Sequence, residues 1–221
     1  MKNLIKQILK EYAEEQEKVL TIPSLKIFNN DWNTLQKFLK SRGNPKWKIL
    51  GDLDLTSFSI ESLGNLTSVG GDLYLANIAI KSLGNLTSVG DSLDLYNTPI
   101  EYLGNLESVG GDLSLYYSKI KSLGNLTSVG GYLNLRNTPI ESLGKLTSVG
   151  DSLNLGNTQI QSLGNLTSVG GSLNLNNTPI ESLGNLTSVG GYLYLRNTPI
   201  SKKYTEEEVR EMVNVEDNIY M

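Results

Sequence analysis

Hydrophobic residues recur at a fixed spacing of twenty positions through most of this chain. The repeats align without a gap from Gly51 to Ile200, and the consensus unit is L-x-L-x-N-T-P-I-x-S-L-G-N-L-T-S-V-G-G-x. Six positions in each unit are apolar; in the second unit they are Leu73, Leu75, Ile80, Leu83, Leu86 and Val89. Six such side chains cannot enclose a core alone, whereas stacked units can share one. The pattern therefore predicts a solenoid.

The L-x-L pair predicts a short strand, because its side chains alternate between the core and solvent. Since the pair returns every twenty residues, equivalent strands should lie side by side about 4.8 Å apart in a parallel sheet. The L-x-x-L segment that follows is too short for a helix with its turns and favours an irregular or 3₁₀-like return path. We expect an α/β solenoid with a right-handed coil, one parallel sheet of about nine rungs, a thin convex side without full helices, and helical caps at both ends.

The repeated turn residues also allow predictions. Gly64 and the Gly70–Gly71 pair should supply positive φ or close packing at corners. The asparagine two residues after each strand, such as Asn97, should point inward and bind backbone groups of neighbouring coils. One column alternates in charge, which predicts a stabilising ladder rather than a site; it comprises Glu61, Lys81, Glu101, Lys121, Glu141, Gln161 and Glu181.

Caps are expected at both ends, which divides the chain into a helical cap (1–48), the solenoid (49–200) and a closing cap (201–221). At the front, a first helix is predicted from Leu4, Ile5, Ile8, Leu9 and Tyr12. A second, capped by Asn30 or Asp31, carries Leu35, Phe38 and Leu39 and ends at Gly43, Asn44 and Pro45.

At the back, Thr205 and Glu208 form a predicted capping box for a short helix. The apolar residues of that helix are Val209, Met212 and Val213. The tail repeats the apolar spacing of 189–195, so Val215, Ile219 and Met221 predict a ninth, closing rung.

Composition removes several kinds of chemistry. The chain has no cysteine and no histidine, which excludes disulfides, thiolate sites, histidine bases and histidine metal ligands. Net charge is −4, distributed as +5 over 1–48, −6 over 49–200 and −3 over 201–221, unlike a basic nucleic-acid binder. The charged N-terminal stretch lacks a signal-peptide core, and no stretch is long enough to span a membrane. We therefore expect a cytoplasmic monomer without cofactor, metal, nucleic-acid partner or membrane partner.

The L-x-L strand, the following asparagine and the next apolar residue resemble the LxxLxLxxNxL signature of leucine-rich repeats, and "LTSVGGDLYL" resembles receptor-L-domain-like repeats. The similarity covers about three-quarters of the chain. The asparagine comes one residue early, Gly70 takes the first leucine position, and Tyr117 and Ser57 replace asparagine in their coils. The layout from "NNDWNTLQKFLKSRGNP" into "GDLDL" is similar to uncharacterised leucine-rich-repeat proteins of tailed bacteriophages and environmental viruses. The resemblance implies protein binding on the sheet, and a host-cell cytoplasmic location if the protein is viral.

Function is expected at the outward positions around each L-x-L pair, because these vary while the rest repeats. The expected binding residues are Tyr74, Asp94, Tyr96, Tyr116, Tyr132, Asn134, Arg136, Asn154, Asn174, Tyr192, Tyr194 and Arg196. Tyrosine and arginine dominate protein interfaces, although tyrosine and asparagine are also ordinary exposed strand residues. The Tyr96–Tyr116–Tyr132–Arg136 region is the expected centre.

The sequence therefore favours a non-catalytic protein-binding module, and the resemblance to phage proteins implies one that acts on a host protein. The alternative is a carbohydrate-binding or virion surface protein, because tyrosine, asparagine and aspartate on a flat sheet also bind sugars. A minor alternative is a carboxylate-based hydrolase or metal site at Asp52, Asp54 and Asp72.

Overall fold

The computed structural model describes residues 19–221 as a parallel β-solenoid of about 7 turns with few helices. The predicted solenoid is confirmed, and the coils stack along one axis through two parallel sheets. Strands of successive coils pair with their equivalents in a repeating register, apart from one shift where Trp47 and Lys48 pair with Leu66 and Ser68. The predicted first helix, with Leu4, Ile5, Ile8, Leu9 and Tyr12, lies outside the described residues.

The L-x-L pairs form the predicted sheet of nine strands, here called the nine-strand sheet and numbered rung 1 to rung 9. Its strands are β3 (Leu53–Asp54), β5 (Leu73–Tyr74), β7 (Leu93–Asp94), β9 (Leu113–Ser114), β11 (Leu133–Asn134), β13 (Leu153–Asn154), β15 (Leu173–Asn174), β17 (Leu193–Tyr194) and β19 (Ile219–Tyr220).

The return segments form a second parallel sheet, the ten-strand sheet, so the expectation of one sheet is corrected to two. Its strands are β1 (Leu20–Ile22), β2 (Trp47–Ile49), β4 (Leu66–Val69), β6 (Ser88–Val89), β8 (Ser108–Val109), β10 (Ser128–Val129), β12 (Ser148–Val149), β14 (Ser168–Val169), β16 (Ser188–Val189) and β18 (Asn214–Val215). The Ser-Val segments stack at the same twenty-residue interval as the L-x-L pairs, and this brings their backbones within pairing distance. No helix lies between residues 53 and 198, as predicted.

The core is one continuous stack of the six repeated apolar positions. In the second coil these side chains (Leu73, Leu75, Ile80, Leu83, Leu86 and Val89) are each at most 1% exposed. Burying a large aliphatic side chain contributes roughly 1.5–3 kcal/mol. Because the stack is shared between neighbouring coils, each coil depends on the next for its stability.

Two glycine columns hold the corners for different reasons. Gly64 and its equivalents have φ near +60°, a region that favours glycine. Gly90 has no positive φ; instead, a Cβ there would collide with the backbone carbonyl of Gly70 in the coil below. The first column is needed for its backbone conformation and the second for close packing between coils.

The asparagine after each strand does not point into the core, which corrects the expectation. Asn97 is exposed and left-handed (φ 50°), and its Nδ2 donates to Oδ1 of Asn77 over 2.9 Å. The strand alternation ends before this residue, so the inward position passes to the next one. Thr98 is 3% exposed, and its hydroxyl donates to the Leu95 carbonyl over 2.9 Å.

At the N-terminal end, Asp31 caps α1 (Trp32–Ser41), which follows a 3₁₀ turn over Leu25–Phe28. The predicted second helix is thereby confirmed, with Leu35 and Leu39 buried. The region is not purely helical, because β1 and β2 extend the ten-strand sheet. The two tryptophans of the chain, Trp32 and Trp47, pack with ring centroids 6.0 Å apart under this cap.

At the C-terminal end, α2 (Pro199–Lys203) and α3 (Glu206–Met212) replace the usual return segment. The predicted capping box of Thr205 and Glu208 is confirmed. Val209 and Val213 are buried, but Met212 is 48% exposed and does not belong to the apolar stripe predicted for it. The predicted closing rung is confirmed, because β18 pairs with β16 and β19 pairs with β17.

The charged column forms part of the expected ladder, because each lysine pairs with the glutamate of one neighbouring coil. Lys81 lies 3.1 Å from Glu61, and Lys121 lies 2.7 Å from Glu101. Exposed pairs of this kind contribute about 0.2–1 kcal/mol each. In the part of the chain from residue 19 onward, none of the helices has the length and apolarity needed to cross a membrane.

Candidate functional site

The outward face of the nine-strand sheet presents three columns of side chains. The preceding column lies just before the first leucine of each rung, the central column between the two leucines, and the following column just after the second. All twelve residues expected to bind a partner lie in these columns. Arg136, Arg196, Tyr74 and Tyr192 are exposed, and the others are half-buried.

Much of the central column stabilises its own strand end. Asp94 Oδ1 accepts a hydrogen bond from the backbone N–H of Tyr96 over 2.9 Å. Asn134, Asn154 and Asn174 each accept from the N–H two residues later, over 3.0–3.2 Å. These side chains replace the ladder bond that the backbone N–H lacks after the strand ends. Four predicted binding residues therefore also have a structural role.

The preceding column links successive rungs. Asp72 Oδ1 accepts from the N–H of Ser92 over 2.8 Å, and Ser92 Oγ accepts from the N–H of Asp112 over 3.1 Å. Asp112 in turn accepts from Tyr132, and Ser172 accepts from Tyr192. Aspartate or serine in this column therefore joins each rung to the next.

Tyrosines occur where these structural rules are broken. Tyr132 takes a position that the ladder assigns to aspartate or serine, and Tyr74 and Tyr194 take positions that other coils give to aspartate or asparagine. In rung 8 the N–H of Arg196 is bound instead by Asn176 Oδ1 of the coil below, over 2.8 Å. These tyrosines do not continue the hydrogen-bonding pattern of their columns, which makes them candidates for a functional role.

Three tyrosines form the central tyrosine cluster: Tyr96, Tyr116 and Tyr117. The Tyr96 and Tyr116 rings stack with centroids 5.8 Å apart, and the Tyr116 and Tyr117 centroids are 4.0 Å apart. Hydrogen bonding with Tyr117 raises the pKa of the Tyr116 hydroxyl, while the charge of nearby Arg136 opposes that shift. The cluster thus combines aromatic surface with hydroxyl groups and an adjacent cation.

Tyr117 completes this cluster from an unfavourable backbone position. Its φ is +59°, in the column where other coils place asparagine, and its side chain is 49% exposed. A bulky residue seldom adopts this conformation. Tyrosine also cannot continue the asparagine ladder, which joins Asn77 to Asn97 and resumes at Asn137.

A second group, the C-terminal tyrosine cluster, consists of Tyr192, Tyr194 and Tyr220. The Tyr194 and Tyr220 rings are nearly parallel, with centroids 4.9 Å apart, and Tyr192 lies 5.9 Å from Tyr220. The guanidinium of Arg196 lies 5.6 Å from the Tyr220 ring centroid. The closing strand therefore brings Tyr220 onto the face that β17 begins.

The first four rungs are acidic on this face. Asp72 Oδ2 accepts from the Tyr74 hydroxyl over 2.8 Å, which raises the pKa of Tyr74. Hydrogen bonds from the Ser92 backbone and from Tyr74 lower the pKa of Asp72. Asp54 accepts from the N–H and hydroxyl of Thr56, and Asp52 accepts from the N–H of Asp72. Within residues 19–221, no group of three or more His, Cys, Asp or Glu side chains is arranged to hold a metal ion.

Of the expected central region, the structure stacks Tyr96 on Tyr116 and places Arg136 at the same position of the adjacent strand, whereas Tyr132 has no ring contact within this cluster. Sequence reasoning omitted Tyr117 and Tyr220 from the expected binding residues. The signal for Tyr117 was its place in an asparagine column, and the signal for Tyr220 was its register with Tyr194 in the closing rung.

The chain matches no known protein-family model, no curated protein and no solved structure. The resemblance to leucine-rich repeats and to phage proteins therefore stays a prediction from the quoted residues.

Proposed function

We propose that this protein is a non-catalytic binding module that recognises a protein partner through the outward face of its nine-strand sheet. The observation that carries the proposal is Tyr117. At that position tyrosine replaces an asparagine of the ladder and adopts a strained backbone conformation. Its ring completes an exposed cluster of three tyrosines.

The chemistry of the cluster supports a protein ligand. Tyrosine offers a large rigid surface with a polar end, and tyrosine and arginine are enriched among residues that dominate binding energy at protein interfaces. Tyr96, Tyr116 and Tyr117 lie within 6.4 Å of one another by ring centroid, and Arg136 is the next residue in the following column. The proposal does not depend on the sheet's structural asparagines, which other coils need for their own strand ends.

The test is a selection of linear peptides from a random 16-residue phage-displayed library on the immobilised full chain. Enriched peptides are then measured against the wild type and Tyr116→Ala by fluorescence anisotropy. We expect Kd to rise at least about tenfold, which corresponds to about 1.4 kcal/mol. Tyr102→Ala is the matched control, because Tyr102 is 58% exposed and lies off this face.

Two results would contradict the proposal. The first is peptide binding that Tyr116→Ala leaves unchanged, with the fold of the variant verified by circular dichroism. The second is oligosaccharide binding on a glycan array that requires Tyr116 and has no peptide counterpart, which would favour carbohydrate recognition instead.

A further inference from the structure

Two tyrosine clusters lie on the same face at a separation set by the coil spacing. Tyr116 belongs to rung 4 and Tyr194 to rung 8, so four intervals of about 4.8 Å separate them by about 19 Å along the solenoid axis. Each cluster has an arginine beside it: Arg136 takes the position of Tyr116 on the adjacent strand, and Arg196 lies over Tyr220. The clusters are therefore similar in chemistry and fixed in distance.

The surface between the clusters carries only small or uncharged polar side chains in rungs 6 and 7, whereas rung 5 carries Tyr132 and Arg136. Its outward residues in rungs 6 and 7 are Ser152, Asn154, Gly156, Ser172, Asn174 and Asn176. Gly156 offers no side chain, and its N–H is bound by Asn154. From rung 5 to rung 8 the three columns contain two arginines and no carboxylate. A ligand that spans rungs 6 and 7 would therefore meet small side chains there and a tyrosine cluster with an arginine on either side.

The dimensions of the face favour a slender ligand. Nine rungs span about 38 Å, and three residues of a strand span about 10 Å, so the strip measures roughly 400 Å². A stable interface between two folded proteins buries about 800 Å² on each partner. A second copy of this chain would therefore be poorly held by the strip alone, whereas an extended segment matches its width.

We propose that both clusters bind one extended segment of a single protein partner, which deepens and rests on the proposed function above. An extended chain advances about 3.3 Å per residue, so 19 Å corresponds to about six residues. Positions six apart lie on the same side of an extended chain. The segment therefore carries two aromatic or large aliphatic side chains at positions i and i+6, one for each cluster.

Charge further defines the segment. Arg136 and Arg196 are three rungs apart, about 14 Å, which corresponds to about four residues of extended chain. Carboxylates at that spacing would meet both arginines without facing a like charge in rungs 5–8. The five aspartates of rungs 1–4 would repel an acidic segment placed there, which fixes its location.

The repeat itself supplies the experiment. Deleting residues 151–170 joins Gly150 to Gly171 and recreates the sequence V-G-G-S-L-N-L found at 169–175. Both clusters stay intact but move closer by one rung, about 4.8 Å, which differs from the 6.6 Å two-residue repeat of an extended chain. Deleting residues 71–90 is the matched control, because it removes a coil outside the interval between the clusters. Both deletions place two glutamates of the charged column side by side.

Peptides enriched on the wild type from the 16-residue library are measured against both deletions and against Tyr116→Ala and Tyr194→Ala. We expect enriched peptides to share the i and i+6 pair. We expect equal Kd on the wild type and on the chain lacking 71–90, and at least a tenfold higher Kd on the chain lacking 151–170 and on each tyrosine variant. Duplicating residues 151–170 keeps every native coil and moves the clusters one rung further apart, so it should weaken binding similarly. It provides the same test if the deletion variant does not fold.

The possible failures are distinguishable. Peptides that require Tyr116 but bind the 151–170 deletion and Tyr194→Ala like the wild type would overturn the two-cluster inference and leave the proposed function standing. Enriched peptides indifferent to Tyr116→Ala, or a selection that enriches none, would overturn both.

Discussion

The asparagine after each strand serves the fold through both its backbone and its side chain. Its φ of 50–60° suits asparagine better than most residues. Its Nδ2 donates to Oδ1 of the asparagine in the preceding coil over 2.8–2.9 Å. Tyr117 retains the conformation without either advantage. The position that supports the proposed site is thus one where the scaffold is weakened, as expected where function and stability compete.

Tyr117→Asn should therefore stabilise the protein. Asparagine relieves the left-handed strain and can rejoin Asn97 to Asn137, while the ring contacts with Tyr116 are lost. We expect a net gain of about 1 kcal/mol in the free energy of unfolding, measured by urea denaturation. Asn157→Tyr is the reverse change in the coil of rung 6, two rungs from each tyrosine cluster, and it should destabilise the protein. Equal stability of all three proteins would refute this account.

Asp72 should make stability depend on pH in the acid range. Its pKa is lower in the folded state than the ordinary value of 3.8, because the Ser92 N–H and the Tyr74 hydroxyl bind its charged form. The stabilisation is therefore complete above the unfolded pKa and is lost as pH falls through the lowered folded pKa.

Asp72→Ser tests this linkage, because Ser92 and Ser172 serve as acceptors in the same column. The Tm advantage of the wild type over the variant should be present at about pH 7 and shrink toward about pH 2. Thermal unfolding followed by circular dichroism measures it, and parallel Tm profiles for the two proteins would show that Asp72 makes no such contribution.

At the scale of elements, strands of two residues persist because each is paired on both sides and anchored by buried side chains. The exceptions are the edge strands, β1 and β3 at the N-terminal end and β18 and β19 in the last rung, which have a neighbour on one side only. Arg210 holds this rung through hydrogen bonds from its guanidinium to the carbonyls of Val215 and Asp217, over 3.0 and 2.8 Å. The C-terminal helices thus position the strands that close both sheets.

Removing residues 215–221 should expose β16 and β17 as open edges and cause association. Size-exclusion chromatography with light scattering should show oligomers or aggregates at concentrations where the full chain is not associated. Thr205→Ala is the control: it removes the capping box but keeps the rung, and should cost about 1 kcal/mol without association. A truncated protein of unchanged mass and Tm would contradict a closing role for the tail.

The repeated apolar positions predicted the nine-strand sheet and its closing rung, and the spacing of Thr205 and Glu208 predicted the capping box, because each depends on local sequence. The ten-strand sheet was not predictable in the same way. Leu66 and Val69 are both buried but lie three residues apart, so strand alternation is absent, and pairing arises only when coils stack. The prediction that the asparagine points inward was wrong because it extended the alternation of side chains past the end of the strand. The grouping of Tyr220 with Tyr192 likewise requires the coordinates of the closing rung.

At the scale of the whole molecule, contacts join each coil to its immediate neighbours, so stability should accumulate coil by coil. The variable side chains are distributed unevenly along this uniform scaffold. Five aspartates occupy rungs 1–4 of the face, and both of its arginines lie in rungs 5–8. The scaffold thus spaces the rungs regularly, and the substitutions on it make one half of the face acidic and the other half basic.

The stacking of coils also determines how the molecule would respond to a mechanical load. The hydrogen bonds that join coils run along the solenoid axis, so tension between residues 19 and 221 would load them end to end rather than in shear. Each released coil has 20 residues and would lengthen the chain by roughly 65 Å, from an extended length of about 70 Å less one rung. The protein would therefore extend in equal steps, one coil at a time, starting at the less stable end of the solenoid.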